Sequence, residues 1–206
     1  MHISWLGFSC FKIQTKESII ITDPYNDNSG WKMPKLKADI VLVSDRKNEL
    51  VNNVERLSGE HLLINQAGEY EIKQNLFYAI PAGEADQNKN LIFHLSSEGM
   101  TIGFLGLLNH SLSNEQLETM EGADILFLPV SSLTSERRTK IISQIEPRIV
   151  IPMYYKLPKI KMKLEAVETF AKEMGQKKIE YLDKIVLKQK DLPQEETRII
   201  FLKALN

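Results

Sequence analysis

The chain has 206 residues, 43% of them apolar and 26% charged, a composition that excludes disordered and fibrous classes and fits one folded domain spanning residues 1–206. Its 26 basic and 27 acidic residues leave a formal charge of -1, so no overall field draws it to a phosphate backbone or an anionic membrane. The lone cysteine, Cys10, can make neither an intramolecular disulfide nor a thiolate cage. With no secretory leader and no apolar run near the roughly 20 residues of a membrane span, a cytoplasmic protein without a membrane partner is expected.

In chain order, alternation predicts strands at residues 3–6, 10–15 and 19–23, the last two closed into a hairpin by Thr15-Lys16-Glu17-Ser18. A polar loop containing Asn26, Asp27, Asn28, Ser29 and Gly30 follows. The apolar run 40–43 then reads as a buried strand that ends at Ser44-Asp45. Further strands are expected at 62–65, 70–72, 76–80, 91–95, 101–105, 125–128, 148–151, 184–187 and 198–202. Helical spacing marks 114–120, with Asn114 as the cap, and also 134–145 and 162–174.

An internal echo organises these elements. Cys10-Phe11-x-Ile13 with its turn and strand recurs about 82 residues later as Ile92-Phe93-x-Leu95. Ala38-Asp39-Ile40, which opens one buried strand, recurs as Ala123-Asp124-Ile125, which opens another. A hairpin followed by a strand is thus used twice, as expected for two similar halves that bury one sheet face each against the other.

Polar residues gather at predicted strand ends: Asp23-Pro24, Ser44-Asp45, Gly68-Glu69, the stretch from Gly106 to His110, and Met153-Tyr154-Tyr155. These lie within a longer ordered series: Gly7-Phe8-Ser9-Cys10-Phe11, Thr22-Asp23-Pro24-Tyr25, Val41-Leu42-Val43-Ser44, Gly68-Glu69-Tyr70-Glu71, Leu105-Gly106, Pro129-Val130 and Ile151-Pro152-Met153. The series resembles the metallo-β-lactamase-fold superfamily, above all its small Zn-dependent hydrolases, over nearly the whole chain. The resemblance implies an α/β protein built as an αββα sandwich of two similar halves, two mixed β-sheets with helices outside.

It also implies two zinc ions in ordinary members, held largely by a T-H-x-H-x-D-H loop after the buried strand. Here that loop reads Ser44-Asp45-Arg46-Lys47-Asn48-Glu49-Leu50, without a histidine. The family's G-H-S-C-F carries Phe8 in place of histidine, its L-G-D reads Leu105-Gly106-Leu107, and its I-P-M-H-Y reads Ile151-Pro152-Met153-Tyr154-Tyr155. Zinc takes nitrogen, sulfur and oxygen donors and cannot be held by Phe8, Leu50 or Leu107. Changes around the ligands alone typically cost about 10- to 100-fold in metal affinity or activity, so the loss of several ligands is expected to leave no metal cofactor and no catalytic residues.

The ligand-cleft candidates that remain are Asp23, Asp45, Lys47, Glu49, Glu69, His110 and Tyr154. Carboxylates crowded without cations are costly, and one expectation is that Lys47 turns its ammonium into the cleft, with Arg46 at the rim. The other is that Lys47 hangs in water, as lysines usually do. Cys10 reads as packing on a buried strand, and the basic stretch 156–163 as a solvated loop rather than a nucleic-acid surface. Two functions follow. One is a metal-free, non-catalytic module that binds an unknown small molecule or protein; the other is a hydrolase in which Asp23, Asp45, Glu49, Glu69 and His110 hold Mg²⁺ or Mn²⁺.

Overall fold

The computed structural model of the chain describes residues 1–83 and 90–205. Three antiparallel strands open it: β1 (His2–Gly7), β2 (Cys10–Gln14) and β3 (Ile19–Thr22). The short β4 (Leu36–Lys37), β5 (Ile40–Leu42), the short β6 (Leu57–Ser58) and β7 (Leu62–Ile64) follow. Next come β8 (Gly68–Ile72), β9 (Asn75–Pro81), β10 (Leu91–Ser97), β11 (Met100–Phe104), β12 (Ile125–Pro129) and β13 (Ile149–Met153). Four two-residue strands complete the set: β14 (Tyr181–Leu182), β15 (Ile185–Val186), β16 (Arg198–Ile199) and β17 (Phe201–Leu202).

Most of these strands form two mixed sheets, one of six strands in the order β15-β1-β2-β3-β5-β7 and one of seven in the order β16-β13-β12-β11-β10-β9-β8, beside the two-stranded pairs β4-β6 and β14-β17. They pack face to face as the sandwich that the resemblance implies. The Phe11 ring of β2 lies 4.3 Å from the Phe127 ring of β12, and Trp5 of β1 lies 4.7 Å from Tyr155 beyond β13. The central strands β5, β12 and β13 are buried at every residue, which is why they read as apolar runs rather than alternations.

The echo in the sequence is a repeat in space. The β2–β3 hairpin leads to β5, parallel to β3, just as the β10–β11 hairpin leads to β12, parallel to β11. Asp39 accepts the backbone N–H of Ile19 at 2.8 Å and Asp124 accepts that of Thr101 at 2.9 Å, so each aspartate braces the strand beside it. Each is also ion-paired, Asp39 with Lys73 and Asp124 with Arg148.

Among the described residues the three α-helices, α1 (Asn114–Met120), α2 (Ser135–Ile145) and α3 (Val167–Glu173), all lie in the second half. Among the described residues the parallel crossovers β3 to β5 and β5 to β7 carry only 3-10 turns and the β4–β6 pair. Ser113 rather than Asn114 caps α1, through a capping box with Gln116. The third helix starts at Val167 rather than 162, because the Glu165 backbone is bound elsewhere: its N–H donates to Ser131 Oγ and its carbonyl accepts Lys156 N–H. The expected strand 198–202 is divided between two sheets as β16 and β17.

Candidate functional site

The parallel strands β3, β5, β11, β12 and β13 bring their C-terminal ends to one rim, and the segments just beyond them build the site. Asp23, one residue past β3, is completely buried. Its Oδ1 accepts the Ser44 backbone N–H at 2.7 Å and its Oδ2 accepts the Ser44 hydroxyl at 2.8 Å. Ser44 in turn accepts the Leu91 N–H from the other sheet at 2.6 Å. Gly106 presses on the same serine so closely that a Cβ there would overlap Ser44 Cβ. One serine therefore joins the ends of strands from both halves.

Burial pushes the Asp23 carboxyl up to about 7, against the lowering effect of its two bonds from Ser44, with Asp45 adding a smaller upward contribution. Ser9 Oγ, buried and without a hydrogen-bond partner among the described residues, sits close enough to lower that value slightly. Burial, and then the neighbouring Asp23, raises the Cys10 thiol well above its ordinary value, which fits a packed and unreactive side chain.

Phe8 stands in the turn between β1 and β2 with φ +52° and no exposure. Its ring meets Tyr25 edge-on at 5.1 Å, and its carbonyl accepts both Trp5 Nε1–H and the Tyr154 N–H. Tyr154, just past β13, has φ +53° and is half-buried, which raises its phenol pKa. Asp23 has φ +40°. Three non-glycine residues in the left-handed region thus surround one rim, each at a cost of about 1–3 kcal/mol.

Of the seven candidates, Asp23, Asp45 and Tyr154 belong to this rim. Asp45 is half-buried, and its Oδ1 accepts the Lys47 backbone N–H at 3.0 Å. Lys47 itself is exposed and forms no ion pair with a described carboxylate, so the expectation that its ammonium enters the cleft is corrected: the turn that Asp45 closes carries the lysine outward. Glu49 is also exposed on this loop, where its carbonyl accepts Asn26 Nδ2. Glu69 is exposed on the edge strand β8, separated from β11 by β9 and β10. His110 is half-buried, with Nδ1 beside the carbonyl of its neighbour Ser111 at 2.9 Å. The lysines of 156–163 are all exposed, while Leu157 between them is buried.

Sequence reasoning missed Ser44 as the central residue, although two parallel neighbours ending in Thr22-Asp23 and Val43-Ser44 place that pair side by side. It also missed Arg138, only 2% exposed, which reaches Glu165, Glu173 and the carbonyls of Val130 and Leu133. A surface cavity of about 730 Å³ beside the end of α3, lined by Lys172, Gln176 and Tyr181, shares no residue with the rim.

The chain matches the Beta-lactamase superfamily domain over residues 2–154. It belongs to that superfamily. A UPF0173 protein of Pyrococcus abyssi is 27% identical, the match covering 75% of this chain and 83% of that one. Among solved structures, one from Thermotoga maritima, described as a candidate Zn-dependent hydrolase of the metallo-β-lactamase superfamily, superposes with a TM-score of 0.81. It is 23% identical, and the match covers 98% of this chain and 99% of that one. Igni18, a metallo hydrolase of Ignicoccus hospitalis, gives a TM-score of 0.64 at 15% identity, over 91% and 99% of the two chains. These likenesses establish the metallo-β-lactamase fold.

The superfamily's usual zinc pair can be tested against the side chains at its rim. Phe8 offers no lone pair and is packed on Tyr25, and both oxygens of Asp23 are engaged by Ser44. Among the described residues no group of three or more His, Cys, Asp or Glu side chains is arranged to hold a metal ion. The donor set does not fit a dinuclear zinc centre.

Proposed function

We propose that this chain is a non-catalytic member of the superfamily that works without metal as a binding or interaction module. The reading rests on four of the positions where the family resemblance expects metal donors, at which this chain has Phe8, Leu50, Leu107 and Tyr154. Three of these lack any donor atom, and burial favours the protonated form of the Tyr154 phenol. Without a metal-polarised water the superfamily's hydrolytic route has neither nucleophile nor Lewis acid. What remains at the rim is a rigid, hydrogen-bonded frame beside a half-buried aromatic and the Asp45 carboxylate, chemistry suited to holding a small molecule or a protein segment.

Metal content decides the matter. Protein expressed with added Zn²⁺ and Mn²⁺ and purified without chelator is expected to carry far less than one metal ion per chain, and its thermal midpoint to be unmoved by EDTA. Stoichiometric metal would overturn the proposal in favour of a hydrolase built on the remaining carboxylates.

A further inference from the structure

The six-stranded sheet ends on one side at β7, a strand whose outer edge pairs with no other strand among the described residues. Leu62 N–H donates to Asp39 O and Ile64 O accepts Val43 N–H, so residues 62 and 64 bond inward to β5. By alternation Leu63 turns its N–H and C=O outward. Leu62 and Leu63 are also 55% and 41% exposed, among the largest exposures of aliphatic side chains in the described residues. An edge that combines free backbone groups with bare leucines is a template for another strand.

Two of the other edges are guarded by charge. On β15, Lys184 and Lys188 are exposed two residues to either side of Val186, and a two-fold pairing centred there sets lysine against lysine. On β8, exposed Glu69 and Glu71 oppose like carboxylates in a two-fold pairing about residue 69, 70 or 71. Edge β7 lacks this protection. An antiparallel pairing about Leu63 sets Leu63 against its mate, Leu62 against Ile64, His61 against Asn65 and Glu60 against Gln66, so no like charges oppose. It also places each exposed Leu62 beside an apolar residue of the other copy.

We propose that β7 is a homodimerisation edge, through which two copies of this chain pair antiparallel about Leu63 and join their six-stranded sheets into one. This stands on the edge geometry alone and is independent of whether the rim binds metal. The contact is short, at the small end of interface sizes, below about 1,200 Å², so monomer and dimer are expected to exchange with concentration.

Two measurements test it. Sedimentation velocity of the full chain at about 10 and about 300 µM is expected to show a monomer giving way to a dimer. Leu63→Lys, which places two lysines on the axis, is expected to remain monomeric at the higher concentration with an unchanged circular dichroism spectrum. The second measurement is covalent. Paired residues at the axis have Cα atoms about 5.5 Å apart, within disulfide range, so Leu63→Cys under mild oxidation is expected to give a covalent dimer. Gln66→Cys, whose mate lies about 20 Å away along the strands, is expected to give none. Buried Cys10 does not compete. A wild-type monomer at the higher concentration, or equal cross-linking of the two cysteine variants, would overturn the proposal.

Discussion

At the scale of single residues, the rim is held in backbone conformations that its side chains resist. Phe8, Asp23 and Tyr154 adopt positive φ because each is fixed from outside: Phe8 O by two donors, Asp23 by Ser44, and Tyr154 through its N–H to Phe8. Gly106, with φ +53°, completes the set and alone leaves room for the serine that joins the halves. Gly106→Ala therefore combines left-handed strain with overpacking and is expected to lose about 3 kcal/mol in urea unfolding. Gly122→Ala supplies the contrast, because that glycine has φ +75° but nothing within 4 Å of a Cβ. Its loss should stay near 1 kcal/mol, the cost of the backbone alone. Equal losses would mean that contact with Ser44 does not constrain the rim.

At the scale of elements, most strands and two of the three helices were legible because burial imposes a period on the chain. Ile141 and Ile145 mark the buried stripe of α2, and Arg138 lies on that stripe, three residues before Ile141. An arginine at such a position signals a buried partner, which local pattern cannot supply because Glu165 and Glu173 are far away in sequence. The start of α3 was hidden for the same reason, since it is fixed by Ser131 and Lys156 holding the backbone of Glu165. Arg138→Met leaves two partly buried carboxylates facing each other and is expected to cost about 3–5 kcal/mol by urea unfolding. Adding Glu165→Gln and Glu173→Gln should restore more than half of the loss. Failure to restore would place the energy in the guanidinium's packing on Phe170 and its bonds to Val130 and Leu133.

At the scale of the whole molecule, the duplication was legible because Asp39 and Asp124 do the same work in each half. The join between the halves was not, because Ser44 meets Leu91 and Gly106 only after both sheets have formed. That join sets the response of the fold to pH. Asp23 has its pKa raised by burial from 3.8 to about 7, so the folded chain binds this proton more tightly than the unfolded one. Its contribution is fully present below pH 4 and is lost as pH rises through 7, by about 4 kcal/mol. Three other groups act in the opposite direction. Against the effect of burial, the bonds from the Met1 ammonium and the Lys16 N–H hold the Glu98 pKa low, so its contribution is lost as pH falls below the ordinary 4.5. Burial lowers the His94 pKa, so stability is lost as pH falls below the ordinary histidine value of 6.5. The Asp39 pKa is lowered, chiefly by its bond from Lys73, so its contribution is lost as pH falls below the ordinary 3.8. Between pH 7 and about 4.5 His94 alone of these groups opposes Asp23, and the Asp23 effect is expected to be the larger because that carboxyl is completely buried and the imidazole only half-buried. Urea unfolding is therefore expected to place maximum stability near pH 4–5. In Asp23→Asn the falling limb above pH 5 disappears and the maximum moves above pH 6.5, where His94 is neutral in both states. An unchanged profile in that variant would mean that Asp23 is ionised in the folded chain at pH 5, and that Ser44 holds a carboxylate rather than a carboxylic acid.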